Sequence, residues 1–222
     1  MTGSRFWDAL PARARTALEK AGAIVMIRPG ALLLMEHTST APVYVLRAGH
    51  VKVWVDRGGE HAILDVLGPG DVVGELEAVD GRPRHASVEA LTAVEALVLP
   101  AARFRAVLEE HPGAVWALAG VLAERLRDAN GLRVAHFPDE PARRLAGRLL
   151  RLATRFGVPL PGGGTEARVP VCRQDLGRWA GMGRGKVARI LAEDLRGGVV
   201  VDRGAVTVRS VDDLRSLAGE PP

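Results

Sequence analysis

Hydrophobic and polar positions change rhythm along the chain, and each change predicts a different kind of element. Phe6 to Ala21 carries Leu10, Ala14 and Leu18 at helical spacing, which predicts a short leading helix. From Ala23 to Pro100 the pattern shifts to short Val/Ile/Leu-rich runs. Turn signals separate them at Pro29-Gly30, Gly49, Gly58-Gly59, Pro69-Gly70 and Gly81. Val51, Val53 and Val55 alternate with Lys52 and Trp54, the period of a strand with one face buried. Asp56-Arg57-Gly58-Gly59 then predicts a hairpin loop before a strand from His61 to Val66. Short strands at such even spacing point to an antiparallel jelly roll or barrel.

Helical periodicity returns at Ala101 to Glu110. Pro112 then sits in the first turn of a longer helix, where proline is tolerated, and the helix is expected to run to about Phe137. Val115, Leu118, Leu122, Ala129 and Leu132 recur at three- and four-residue steps, with Arg125 and His136 in phase. This heptad-like stripe predicts a seam between two copies of the chain. A second edge, Val121 and Leu126, is expected to pack on the helix's own domain. Phe137-Pro138-Asp139 breaks the helix and marks the best boundary. The expected organisation is therefore residues 1–111, a dimerisation helix at 112–137, and residues 138–222.

After the boundary, Pro141 to Phe156 is an amphipathic helix with Leu145, Leu149, Leu150 and Leu152, and Leu160 to Thr165 (LPGGGT) reads as a loop. Arg173 to Leu191 (RQDLGRWAGMGRGKVARIL) reads as two short helices across a glycine turn. Leu176, Ala180, Val187 and Ile190 can face one small core. Gly177 leaves room between the helices, and Gly181 can take the positive φ that ends the first. The second helix carries Arg184, Lys186 and Arg189, residue types that contact phosphates and guanine edges; Arg173 and Gln174 open the first, where they could meet the DNA backbone. Val199 to Val201 and Val206 to Val208 flank Asp202-Arg203-Gly204, a hairpin. A helix-turn-helix followed by a β-hairpin is a winged helix. The alternative, an ordinary helical hairpin in another kind of domain, leaves the basic second helix unexplained.

Composition narrows the choice. An apolar fraction of 47% over 222 residues supports packed cores, and 25% charged residues is average for a soluble protein. From Pro138 onward there are fifteen basic residues against ten acidic ones, whereas the part before has fifteen against sixteen. A basic C-terminal part on a near-neutral N-terminal one suits nucleic acid. Cys172 is the only cysteine, so neither an internal disulfide nor a cysteine-based metal site can form within one chain; it is expected to be small and buried. The N-terminus lacks the apolar core of a signal peptide, and the longest uncharged apolar run, Pro112 to Ala123, is too short for a bilayer. No membrane association and a cytoplasmic location are expected.

The second anchor is Gly68 to Leu91, GPGDVVGELEAVDGRPRHASVEAL. Gly74-Glu75 is followed, after a short apolar segment, by Gly81, Pro83, Arg84 and Ala86. Glycine lets backbone N–H groups approach an anion, arginine can neutralise a phosphate, and a carboxylate can accept from sugar hydroxyls. A structural Glu75–Arg84 salt bridge is the plainer reading of the same residues.

Taken together, these segments resemble the family of cyclic-AMP receptor protein and the fumarate–nitrate regulator. The resemblance runs through IRPGALLL (Ile27 to Leu34), VYVLRAGHVKVW (Val43 to Trp54), LGPGDVVGE (Leu67 to Glu75), GRPRHASV (Gly81 to Val88), the long helix and the helix-turn-helix. It implies an α+β fold: an N-terminal antiparallel β-roll of cyclic-nucleotide-binding type, a long dimerisation helix and a C-terminal winged helix-turn-helix. It also implies a small effector, with cyclic AMP the candidate, and no cofactor. The implied partners are double-stranded DNA with a palindromic operator, a second copy of the chain, and RNA polymerase. Gly74, Glu75 and Leu76 then look like the cassette that holds ribose, and Arg84, His85 and Ala86 like the phosphate-binding segment. Arg125 lies where it could reach Glu75. The adenine-contacting pair falls on Ala129 and Asn130, of which only Asn130 can bond a base edge.

Some positions depart from that pattern. His85 stands where nucleotide-binding members have Ser or Thr. Gly185 stands in place of a reading glutamate, which removes an acceptor for cytosine N4, and Gly183 replaces a serine N-cap. The effector therefore stays open between a cyclic nucleotide, another ligand and none. A different class, a jelly-roll metalloenzyme, would need ligands clustered among His37, His50, His61 and His85, and no His-x-His pair exists. No nucleophile–base arrangement is evident, so no enzyme is expected.

Overall fold

The structure is a computed structural model that describes residues 5–39, 42–134, 141–202 and 204–219, without side chains at 131–134. It divides into two compact units, one formed by 5–59 and 64–126, the other by the described residues from 127 on together with 60–63.

The first unit is a roll of two four-stranded antiparallel sheets. One has the order β1 (Ala23–Ile27), β8 (Val94–Leu99), β3 (Val43–Ala48), β6 (Val72–Val73). The other has the order β2 (Leu32–Leu34), β7 (Ser87–Ala90), β4 (Val51–Arg57), β5 (Glu60–Leu67). The period of two explains the layers. On β3 and β8, Leu46, Val94 and Ala96 face the second sheet, in a core shared with Leu34, Val51, Leu67 and Val88. Their alternates Val43, Val45, Leu97 and Leu99 face a helical layer instead. The predicted alternation on β4 holds: Val51 and Val55 are buried, and Lys52 meets its cross-strand neighbour Glu89 at 2.9 Å.

The helical layer comprises α1 (Phe6–Ala9), α2 (Ala12–Ala21), α4 (Ala101–Glu110) and the first half of α5 (Pro112–Val134). The single leading helix expected from periodicity is in fact two. Pro11 disfavours helical backbone at Leu10, which is extended at φ −70°, ψ 138°, and a new helix starts behind it. A further short helix, α3 (Glu75–Asp80), stands where the sequence showed only a short apolar segment before Gly81.

The long helix corrects the expected seam. Leu118, only 4% exposed, and Leu122 pack with Ala114, Ala117 and Val121 on the helix's own domain. Leu126, assigned to that inner edge, is 62% exposed, and Val115 and Trp116 are exposed as well. Both sides of this helix are apolar, so periodicity revealed two stripes and could not say which one the roll covers. Leu132 lies among the residues whose side chains are not described, and His136 and the Phe137-Pro138-Asp139 break lie outside the described residues.

The second unit holds α6 (Pro141–Phe156), α7 (Arg173–Ala180), α8 (Arg184–Glu193) and α9 (Val211–Ala218). They pack with a sheet of order β11 (Val199–Asp202), β12 (Ala205–Val208), β10 (Thr165–Ala167), β9 (Gly157–Pro159). Leu145, Leu149, Leu152, Leu176, Val187, Val206, Val208 and Leu214 are all buried. The LPGGGT segment is the turn of a β9–β10 hairpin, and α9 closes the core; neither hairpin strand nor α9 was expected. Short strands around Pro and Gly carry too little pattern to read; register of β10 with β12, and of β9 with β10, is what makes them strands. No helix among the described residues is long and apolar enough to cross a membrane.

Candidate functional site

A cavity of about 230 Å³ in the first unit is lined by Gly74, Glu75, Leu76, Arg84, His85, Ala86 and Arg125, among others. The structure thus brings together residues from α3, the loop before β7 and α5. Asn130 and Ala129 are exposed on α5 and are not among the lining residues. Glu75 and Arg84 are buried, whereas His85 is exposed at the cavity.

The Glu75–Arg84 salt bridge, one of the two readings of these residues, does not form; each group has another partner. Arg125 donates to Glu75 Oε1 at 2.8 Å and to the Val72 carbonyl at 2.8 Å. Arg125 lies seven residues beyond Leu118, two turns along the face of α5 that packs on the roll, and this phase carries its guanidinium inward. Arg84, 4% exposed, places Nε 2.6 Å from Glu77 Oε2. Its Nη1 donates to the Gly74 carbonyl and its Nη2 to the Pro42 carbonyl at 3.1 Å. Burial pushes the Arg84 pKa below the ordinary guanidinium value, while Glu77, Glu75 and Tyr44 pull it back, and the group stays charged.

Gly74 explains why the arginine can sit so deep. Its φ is +81°, and a Cβ there would stand 2.7 Å from Arg84 Nη1 and 2.9 Å from the Pro42 carbonyl oxygen. Below α3, Arg105 of α4 donates twice to the Ala78 carbonyl, at 3.0 and 2.8 Å, and fixes the end of that short helix. Sequence reasoning missed Glu77 and Arg105. The available signal for Glu77 was a second carboxylate two residues after Glu75, between two glycines that can bound a helix. Among the described residues, no three His, Cys, Asp or Glu side chains cluster as metal ligands would.

The second unit presents a different surface. Gly181 ends α7 in the left-handed conformation at φ +68°, and a Cβ on Gly177 would stand 2.5 Å from the Met182 carbonyl oxygen. Leu176, Ala180, Val187 and Ile190 are buried as expected. Arg144 and Arg148 of α6 donate to the Ala180 and Trp179 carbonyls at 3.0 and 3.1 Å, satisfying acceptors at the end of α7. The opposite face carries Arg173, Gln174, Arg184, Lys186 and Arg189, all exposed. Arg173, Arg184, Lys186 and Arg189 form no ion pair among the described residues. Gly183 caps α8 without a side-chain bond.

Cys172 is exposed rather than buried. It is the N-cap of α7: its sulfur accepts from the Asp175 amide at 3.4 Å while Asp175 accepts from the Cys172 amide at 3.2 Å. This is a capping box with sulfur in the usual hydroxyl's place.

Residues 24–111 match the cyclic nucleotide-binding domain, and residues 143–217 match the Crp-like helix-turn-helix domain. The chain is 31% identical to a Cyclic AMP receptor protein of Thermus thermophilus over 179 residues, 79% of each chain. It is 32% identical over 153 residues to a CRP-like cAMP-activated global transcriptional regulator of Mycobacterium tuberculosis, covering 68% of this chain and 67% of that one. In three dimensions it is similar to the crystal structure of the Thermus thermophilus Catabolite Activator Protein. There the TM-score is 0.54 at 27% identity, over 97% of this chain and 99% of that one.

Proposed function

The chain belongs to the CRP/FNR family of transcription regulators, and from that premise we propose how its parts divide the work. Residues 1–111 sense a small effector, 112–137 join two copies, and 138–222 bind double-stranded DNA in the cytoplasm. The observation that carries the sensing role is one cavity holding a buried arginine, Arg84, beside Glu75 and its partner Arg125. Arg84 supplies the cation for a phosphate and His85 a ring N–H donor, Gly74 and Leu76 with Ala86 shape the floor, and Glu75 accepts from sugar hydroxyls. Cyclic AMP is the effector proposed first, because the relatives are named for it.

On the output side, Arg184 and Arg189 seek guanine edges in the major groove, Lys186 meets phosphate, and Arg173 and Gln174 hold the backbone. Two copies pack along Val115, Trp116, Ala119 and Leu126, the exposed apolar face of α5. Their reading heads then meet half-sites of a palindromic operator about 34 Å apart, and the bound dimer presents itself to RNA polymerase.

Thermal-shift titration with cyclic AMP tests the sensing role. Stabilisation by about 2.7 kcal/mol is expected at a hundred times the dissociation constant, and it should vanish in Arg84→Ala. Unchanged stabilisation in that variant would place the ligand elsewhere. The seam is tested by light scattering at micromolar concentration: Leu126→Glu should halve the particle mass. A monomeric wild type would remove the seam.

A further inference from the structure

We infer that Glu77 is a built-in competitor for the anionic group of the effector, so that the cavity admits only a ligand able to displace it from Arg84. This rests on the reading of the cavity as an effector site. The geometry is that of a site already filled. Glu77 Oε2 lies 2.6 Å from Arg84 Nε, and the two Nη groups donate to the Gly74 and Pro42 carbonyls. Both partners are shielded, with 4% and 12% of the side chains exposed. A phosphate arriving at Nε therefore meets a carboxylate in its own place. Adding to the pair would set two anions side by side in a poorly solvated site, which is strongly unfavourable.

The lining deepens the point. Glu75, Glu77 and Asp80 stand against Arg82, Arg84 and Arg125 around the cavity, so their formal charges cancel and the cavity has little general appetite for anions. Exchange is the route left: the ligand's anion takes the guanidinium and the Glu77 carboxylate turns out to solvent. Glu77 lies near the middle of the short α3, so its side chain can swing without breaking the helix. Exchange of one anion for another is close to balanced by itself. Binding must then be driven by the rest of the ligand, through Glu75, Leu76 and the apolar wall. Simple anions are rejected because they bring nothing else, a form of discrimination built on repulsion.

The test is calorimetric titration of cyclic AMP and of uncharged adenosine into the full chain, its Glu77→Gln and Glu77→Ala variants, and the double variant Glu77→Gln/Arg84→Ala. Glutamine keeps the size and polarity of the side chain and removes the charge. Cyclic AMP should bind Glu77→Gln at least about tenfold more tightly than wild type, and adenosine should bind both alike. The unliganded melting temperature should fall while the shift produced by cyclic AMP grows, a crossing that a purely structural role would not produce. The double variant should lose the gain. Binding only to the Glu77 variants, and dependent on Arg84, also supports the competitor. Equal cyclic AMP affinity in wild type and both Glu77 variants overturns it and leaves the effector reading standing, as does an equal gain for adenosine. Cyclic AMP binding by none of the proteins, or binding indifferent to Arg84, removes the effector reading and the competitor with it.

Discussion

Arginine does opposite work in the two units. Arg84 is buried and committed before any ligand arrives: Glu77 pairs its charge, and the Gly74 and Pro42 carbonyls take its Nη donors. Arg184 and Arg189 on α8 stand in water with no ion partner among the described residues. The same guanidinium is thus a structural element in one place and an available tool in the other. A buried charge must be paired to exist at all, whereas an exposed one is solvated and waits at little cost. Selectivity follows in the cavity, because a ligand must undo a pair. Salt sensitivity follows on α8, because its contacts are gained by releasing counterions.

The comparison breaks most sharply at Arg84. Arg84→Ala leaves Glu77 shielded without its cation and should cost about 3 kcal/mol of folding stability, read by urea denaturation. Arg189→Ala should stay within about 0.5 kcal/mol in the same assay. Similar losses in the two variants would erase the distinction between committed and available arginines. The next effect is on DNA. Arg189→Ala should weaken binding to a preferred operator by about 1–3 kcal/mol and flatten preference at the guanine it reads. A gel-shift titration that finds affinity and preference intact would end that assignment. The smallest effect belongs to Lys186→Ala. It should weaken binding to all sequences alike and lower the slope of log affinity against log salt by about one. A change in sequence preference instead would make Lys186 a reader of bases.

Legibility followed the range of the physics. Gly177 and Gly181 were readable because helix termination and close approach are local matters. The reach of Arg125 to Glu75 came from the family resemblance alone, since helix phase had set Arg125 with Leu118 on the outward seam, and only the packing of α5 on the roll turned that face inward. Glu77 was not: whether it or Glu75 pairs with Arg84 depends on α3 being helical, and six residues between glycines say little alone. Cys172 was misjudged for a related reason. Its type suggests burial, but its position before Arg173 makes it a cap, and position decides. The stripe on α5 was misassigned in part, since Leu118 and Leu122 pack on the roll while Leu126 stays exposed, and only the covering roll distinguishes the two visible stripes.

The residues alone determined the succession of elements, the glycine-bounded turns, the excess of basic charge in the last third, and the motif that places Arg84 and Glu75 in one cassette. These depend on neighbours within a few positions, where backbone sterics and side-chain period act directly. The tertiary structure decided what those groups touch: Arg125 for Glu75, Glu77 for Arg84, and Val115, Trp116 and Leu126 left outside. Partners of a buried charge are chosen by which elements meet across tens of residues. No local pattern encodes that meeting, because it is set by the packing of the whole domain.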